Sequence, residues 1–167
     1  MLGSNVINTM QSMRKQGTLA RAIQRARVAA NGFPKVPKLW SELIILDNLK
    51  QTSDNCPFLQ FEGQIEVGRE EKFLIFMSPT GKEILSSSTE WFADGTFDCC
   101  SNTLFTQLFV VFAKSRTGRV VPSLFSLLPN KECKSYEQVF SFLKDQGISG
   151  PDTFHADFER AIYKVGT

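Results

Sequence analysis

The chain has 167 residues, 42% hydrophobic and 22% charged, a balance that fits one folded domain with a small appendage and excludes a disordered or low-complexity protein. Its longest unbroken apolar run, Leu108 to Ala113, is far shorter than the roughly 20 residues a membrane-spanning helix needs. Met1 to Met10 lacks the charged flank and apolar stretch of a secretory signal, so neither a membrane nor secretion is expected. The net charge of +2 hides a division: residues 1–40 carry Arg14, Lys15, Arg21, Arg25, Arg27, Lys35 and Lys38 and no acid, while residues 41–167 hold 12 bases against 17 acids. A basic arm on an acidic body predicts a polyanionic partner for the arm.

In chain order, Thr18 to Ala30 spaces Leu19, Ala22, Ile23, Ala26 and Ala30 as one face of a helix, with Arg14, Arg21 and Arg25 on the other side. Asn31-Gly32 stops it, and Pro34 and Pro37 enforce an extended linker, which bounds the arm at 1–40. The same features fit a solvated surface helix and, as a lesser alternative, a mitochondrial transit peptide. Residues 41–88 read as a lead-in: Leu39 to Leu49 has the apolar pattern of a short helix or strand, Thr52 to Pro57 is a turn, and Phe61 to Glu71 reads as loop. Phe73 to Met77 is a strand closed by a turn at Ser78 to Gly81, with a turn or two of helix over Lys82 to Ser88.

Residues 89–167 are more regular. Glu90 to Ala93, Leu104 to Lys114 and Val120 to Leu128 have strand character and short polar separators, which predicts an antiparallel meander. Ser135 to Gln146 carries Tyr136, Val139, Phe140 and Leu143 on one face of a helix, with Ser135 as its N-cap. Gly147 to Pro151 breaks that helix, Thr153 to Ala156 is a fourth strand, and Phe158 to Val165 begins another helix.

Asp94 and Asp157 each follow an apolar strand segment. A right-handed helical crossover could return the fourth strand beside the first, bringing both carboxylates together. Two ionised carboxylates at one point call for a divalent metal such as Mg²⁺, although aspartates at strand ends also serve as plain turn formers. His155 would share a face with Asp157, but an ordinary strand histidine is the simpler reading. Asp98 reads as a solvated turn residue. Cys56, Cys99, Cys100 and Cys133 show no C-x-x-C spacing and read as reduced thiols of an intracellular protein, without zinc. Trp91, Phe97, Phe105, Phe109 and Phe125 fit a packed sheet better than a base-stacking platform. Gly95 is expected to permit a tight turn after Asp94.

From Thr89 onward the segments Trp91 to Phe97 (WFADGTF), Gln107-Leu108-Phe109, Val120-Val121-Pro122, Leu127 to Lys131 (LLPNK), Tyr136 to Leu143 and Ala156 to Ala161 stand in a fixed order. In this order and spacing they resemble the transposase domain of Mutator-like elements. The resemblance implies a ribonuclease H-like fold: a mixed sheet of three antiparallel strands, a helix, a parallel strand and a further helix, behind a basic helical arm. It also implies an Asp-Asp-Glu triad that binds Mg²⁺ or Mn²⁺ and cuts and joins DNA strands in the nucleus, with self-association as in transposases and no small-molecule substrate. Asp94 and Asp157 carry over as the catalytic and metal-binding aspartates, and Arg14, Arg21 and Arg25 are the DNA-binding candidates. The third acid has no counterpart, because Glu159 belongs to the D-F-E segment itself. The expectation is therefore an incomplete core, a fragment with little or no strand-transfer activity. The rival readings are a non-catalytic DNA-binding or protein-interaction module, and an inert remnant.

Overall fold

Residues 36–96 and 103–156 are described in the computed structural model. Among them the elements run β1 (Leu59–Gln64), β2 (Lys72–Phe76), α1 (Pro79–Ser87), β3 (Glu90–Thr96), β4 (Gln107–Lys114), β5 (Val120–Leu128), α2 (Cys133–Asp145) and β6 (Thr153–Ala156). The strands form one mixed sheet in the order β1-β2-β5-β4-β3-β6. The three-strand meander expected from the sequence is β3-β4-β5, antiparallel throughout, and α2 carries the chain across to β6, which pairs parallel to β3. The expected helices over Thr18–Ala30 and Phe158–Val165 lie outside the described residues.

Strand alternation divides the sheet into two unlike faces. One face gathers Phe73 and Ile75 of β2, Trp91 and Ala93 of β3, Phe109, Val111 and Ala113 of β4, and Leu124 and Leu128 of β5 into the main core. Leu85 of α1 and Tyr136, Val139, Phe142 and Leu143 of α2 close over them. On the other face Leu74, Leu104 and Phe105 are buried against Trp40, Leu43, Ile45, Leu59, Phe76 and Leu127.

Several expectations change. Residues 41–88, read as a lead-in with one short strand, supply β1, β2 and α1 to the same sheet and core as the rest. Leu39 to Leu49 is neither regular helix nor strand but two 3₁₀ turns, Trp40–Glu42 and Asp47–Leu49, with Trp40 packed edge-on to Phe105 at 5.2 Å. The supposed loop after Phe61 begins as edge strand β1, whose Gln60, Glu62 and Gln64 are exposed and mask the alternation. Ser78 to Gly81 is the first turn of α1 and no closing turn: Ser78 Oγ accepts from the Gly81 amide at 3.0 Å, and Pro79 takes the position where a missing N–H costs nothing. Ser135 does not cap α2. Glu132 does so by position, while Asn130 Oδ1 accepts from the Glu132 amide and from buried Ser135 Oγ, at 3.1 and 2.6 Å.

Two contacts fix the helices to the sheet. Tyr136, fully buried, donates its hydroxyl to Oε1 of fully buried Gln107 at 2.9 Å, tying α2 to the start of β4. At α1, a bulge in β5 shifts the register so that Val111 faces Leu124 while Phe112 faces Pro122, leaving Ser123 extra. Pro122 sits at that bulge, past the stretch of β5 paired with β2, where proline is tolerated in a sheet. The Ser123 carbonyl meets α1 so closely that a Cβ on Gly81 would stand 2.3 Å from its oxygen. Among the described residues no helix is long and apolar enough to cross a membrane.

Two substitutions test these contacts by urea denaturation. Tyr136→Phe strands the buried Gln107 amide oxygen and is expected to cost about 1–3 kcal/mol. Gly81→Ala must displace a backbone carbonyl and is expected to cost about the same from overpacking. An unchanged midpoint in either variant contradicts the corresponding contact.

Candidate functional site

Most residues of the recognised segments serve the fold. Trp91 is buried in the core, Gln107 and Tyr136 bond to each other, Pro122 marks the bulge, and Asn130 orders the start of α2. Phe105 and Phe109 are buried and Phe125 half-buried, as a packed sheet requires.

Asp94 is different. It does not end its strand: β3 continues through Gly95, paired with Phe109, to Thr96, so Gly95 makes no turn. Trp91 and Ala93 face the helices, which puts Asp94 on the opposite face, across from Val110 of β4. The residue is exposed, and among the described residues its carboxylate has no hydrogen bond or ion pair.

The contrast with Glu90, on the same face of the same strand, is direct. Glu90 Oε2 accepts from Lys114 Nζ at 2.6 Å, and Oε1 lies 3.1 Å from His155 Nε2. The His155 ring stacks on Phe92, centroids 4.7 Å apart and 14° from parallel, as the Phe92–His155 register dictates. The hydrogen bond from Lys114, helped by that from His155, holds the Glu90 carboxyl below its ordinary value of 4.5 against the smaller opposing effect of burial. His155 is thereby engaged as a strand histidine toward the Glu90 end of β3. Spacing alone could not reveal this trio, since its members stand far apart in the sequence.

Asp157, Asp98, Cys99, Cys100, Arg14, Arg21 and Arg25 lie outside the described residues. The parallel register runs from Glu90 opposite Thr153 to Ala93 opposite Ala156, one position before Asp94 and Asp157. A free, exposed carboxylate on a rigid strand suits a hard cation such as Mg²⁺, which takes few protein oxygens and keeps its waters. Asp94 offers a single carboxylate; among the described residues no cluster of three or more His, Cys, Asp or Glu could hold a metal. A hollow of about 440 Å³ between Trp91, Phe140, Leu143, Ile148 and Pro151 opens on the helix face, away from Asp94.

Comparisons with protein-family models, with curated proteins and with solved structures return no match.

The Glu90 contacts generate a pH dependence with a definite sign. A carboxyl lowered in the folded state stabilises that state above its unfolded value and loses the contribution as pH falls through the lowered one. The urea midpoint is therefore expected to drop as pH falls below the ordinary carboxylate value of 4.5, and Glu90→Gln is expected to flatten part of that drop. An identical acid limb in the variant would contradict the assignment.

Proposed function

We propose that this chain carries the first two metal-binding aspartates of a DNA transposase resembling those of Mutator-like elements, on a ribonuclease H-like sheet. The observation that supports the reading most is the parallel pairing of β6 with β3 after a helical crossover, in a register heading toward Asp94 and Asp157. In the proposed arrangement one further step of that register would bring Asp157 beside Asp94. Among the described residues the Asp94 carboxylate has no partner, which leaves it available to a cation and supports the same reading.

In this proposal Asp94 and Asp157 hold Mg²⁺ or Mn²⁺, which when bound supplies activation of the attacking oxygen and charge stabilisation at the leaving oxygen of a phosphodiester. The acid-free arm, through Arg14, Arg21 and Arg25, holds the DNA by its phosphates. A third acid is not among the residues that carry over, so metal binding, and not strand transfer, is the property assigned to this chain by itself.

The test is metal-dependent stabilisation of the full chain. At a metal concentration near 100 times the dissociation constant, binding to the folded state is worth about 2.7 kcal/mol, visible as a raised melting temperature. Asp94→Asn and Asp157→Asn are each expected to remove most of it, and Glu90→Gln to leave it. Equal stabilisation of the wild type and the double Asn variant would overturn the site. For the arm, replacing Arg14, Arg21 and Arg25 by Gln is expected to reduce the salt dependence of DNA binding by up to about 2.7 in slope, with no effect from the Asp94 variant. An unchanged slope would overturn the role of the arm.

A further inference from the structure

The hairpin joining β4 to β5 carries bases that neither the fold nor the metal site uses. Between Asp98 and Glu132 the sequence contains Lys114, Arg116, Arg119 and Lys131 and no acid, a second acid-free stretch inside an otherwise acidic body. Three of these four bases fall at the hairpin. Lys114 is neutralised by its bond to Glu90 at 2.6 Å. Arg116 and Arg119 are exposed, and among the described residues neither guanidinium has a hydrogen bond or ion pair.

The turn that presents them is ordered. The Gly118 amide donates to the Ser115 carbonyl at 2.8 Å and the Ser115 amide to the Arg119 carbonyl at 2.8 Å, with Gly118 at a φ of +79°. Ser115 Oγ accepts from the Arg119 amide at 3.2 Å and lies 3.0 Å from Thr117 Oγ1. This is a hairpin turn with glycine in the left-handed position where only it is unstrained. It stands on β4 and β5, which pair over eight positions and lie in the interior of the sheet. Little conformational entropy remains to be lost at the turn backbone when a partner binds.

We propose that the β4–β5 hairpin is a second nucleic-acid contact, in which Arg116 and Arg119 each grip a phosphate of a DNA duplex; this rests on the reading of the chain as a DNA-binding transposase. Arginine's planar fork matches a phosphate in two-point fashion, and a short rigid turn with two such forks and adjacent hydroxyls suits a repeating phosphate backbone. A lipid surface is disfavoured, because Ser115 to Arg119 holds no apolar side chain to insert between lipid tails.

The experiment measures binding of the full chain to a labelled DNA duplex across a salt series. Arg116→Gln with Arg119→Gln is expected to weaken binding and lower the slope of log affinity against log salt by about 1.8, two phosphates at about 0.9 each. Arg116→Lys with Arg119→Lys, which keeps the charges, should retain most of that slope. Lys134→Gln with Lys144→Gln, the same charge change on α2, should leave it near wild type. Melting temperatures of the hairpin variants should match the wild type, since Arg116 and Arg119 are exposed, while the α2 variant also loses the Lys134–Glu66 ion pair and is expected to melt slightly lower. If the hairpin Gln variant keeps the full slope while the arm variant loses it, or if the α2 variant loses as much, the hairpin assignment falls and the DNA reading stands. A wild type without salt-dependent DNA binding overturns both. Binding only to phosphatidylserine vesicles, lost in the hairpin variant, would also overturn the proposal and put the hairpin on a membrane surface.

Discussion

Where β6 can pair is decided by α2. The helix leaves β5 at one side of the meander and must cross β4 and β3 before the chain can re-enter the sheet, and its path is fixed by Tyr136, whose hydroxyl is buried on Gln107 of β4. Val139, Phe142 and Leu143 then seal the same helix onto Trp91, Ala93 and Phe109. With α2 so held, β6 can add only at the free side of β3, running parallel to it as a crossover connection requires. A tyrosine on α2 and a glutamine on β4 thus help to determine which strand β6 pairs with.

The two acids of β3 show how one strand serves structure and, on the proposed reading, chemistry. Glu90 is spent on Lys114 and on His155, locking β3 to its neighbours on both sides at one end. Asp94, four residues along and on the same face, is left without a partner among the described residues. The main core lies on the other face, with both helices, and a smaller buried cluster around Leu74 and Phe105 shares the face of Asp94, but Asp94 itself is exposed.

How much of this was legible in the sequence varied with the kind of signal. The meander, α2 and the Thr153–Ala156 strand were readable because their apolar periods are regular and their separators polar, and the adjacency of β6 and β3 was one arrangement that a right-handed crossover allows. Edge strand β1 was hidden because its exposed residues Gln60, Glu62 and Gln64 give no apolar signal. The start of α1 was mistaken for a turn because Ser-Pro-Thr-Gly begins either structure, and only the packing of Gly81 on Ser123 decides between them. Ser135 looked like a cap because serine favours caps, yet its hydroxyl is buried on Asn130. At the candidate site the motif singled out Asp94, which is exposed on β3, whereas spacing gave no sign of the Glu90–Lys114–His155 trio, since it is assembled from three strands by register alone.

The central claim, on the proposed reading, is that continuing the β3–β6 register brings Asp94 and Asp157 to one metal-binding point on the face opposite the helices. Its most direct measurement is a crystal structure of the full chain grown with Mn²⁺, using the anomalous signal to locate the ion. The predicted result is a manganese peak between the Asp94 and Asp157 carboxylates, with the two groups within about 8 Å, near enough to share ions roughly 4 Å apart. Carboxylates much farther apart, or manganese bound elsewhere with Asp94 left solvated, would contradict it.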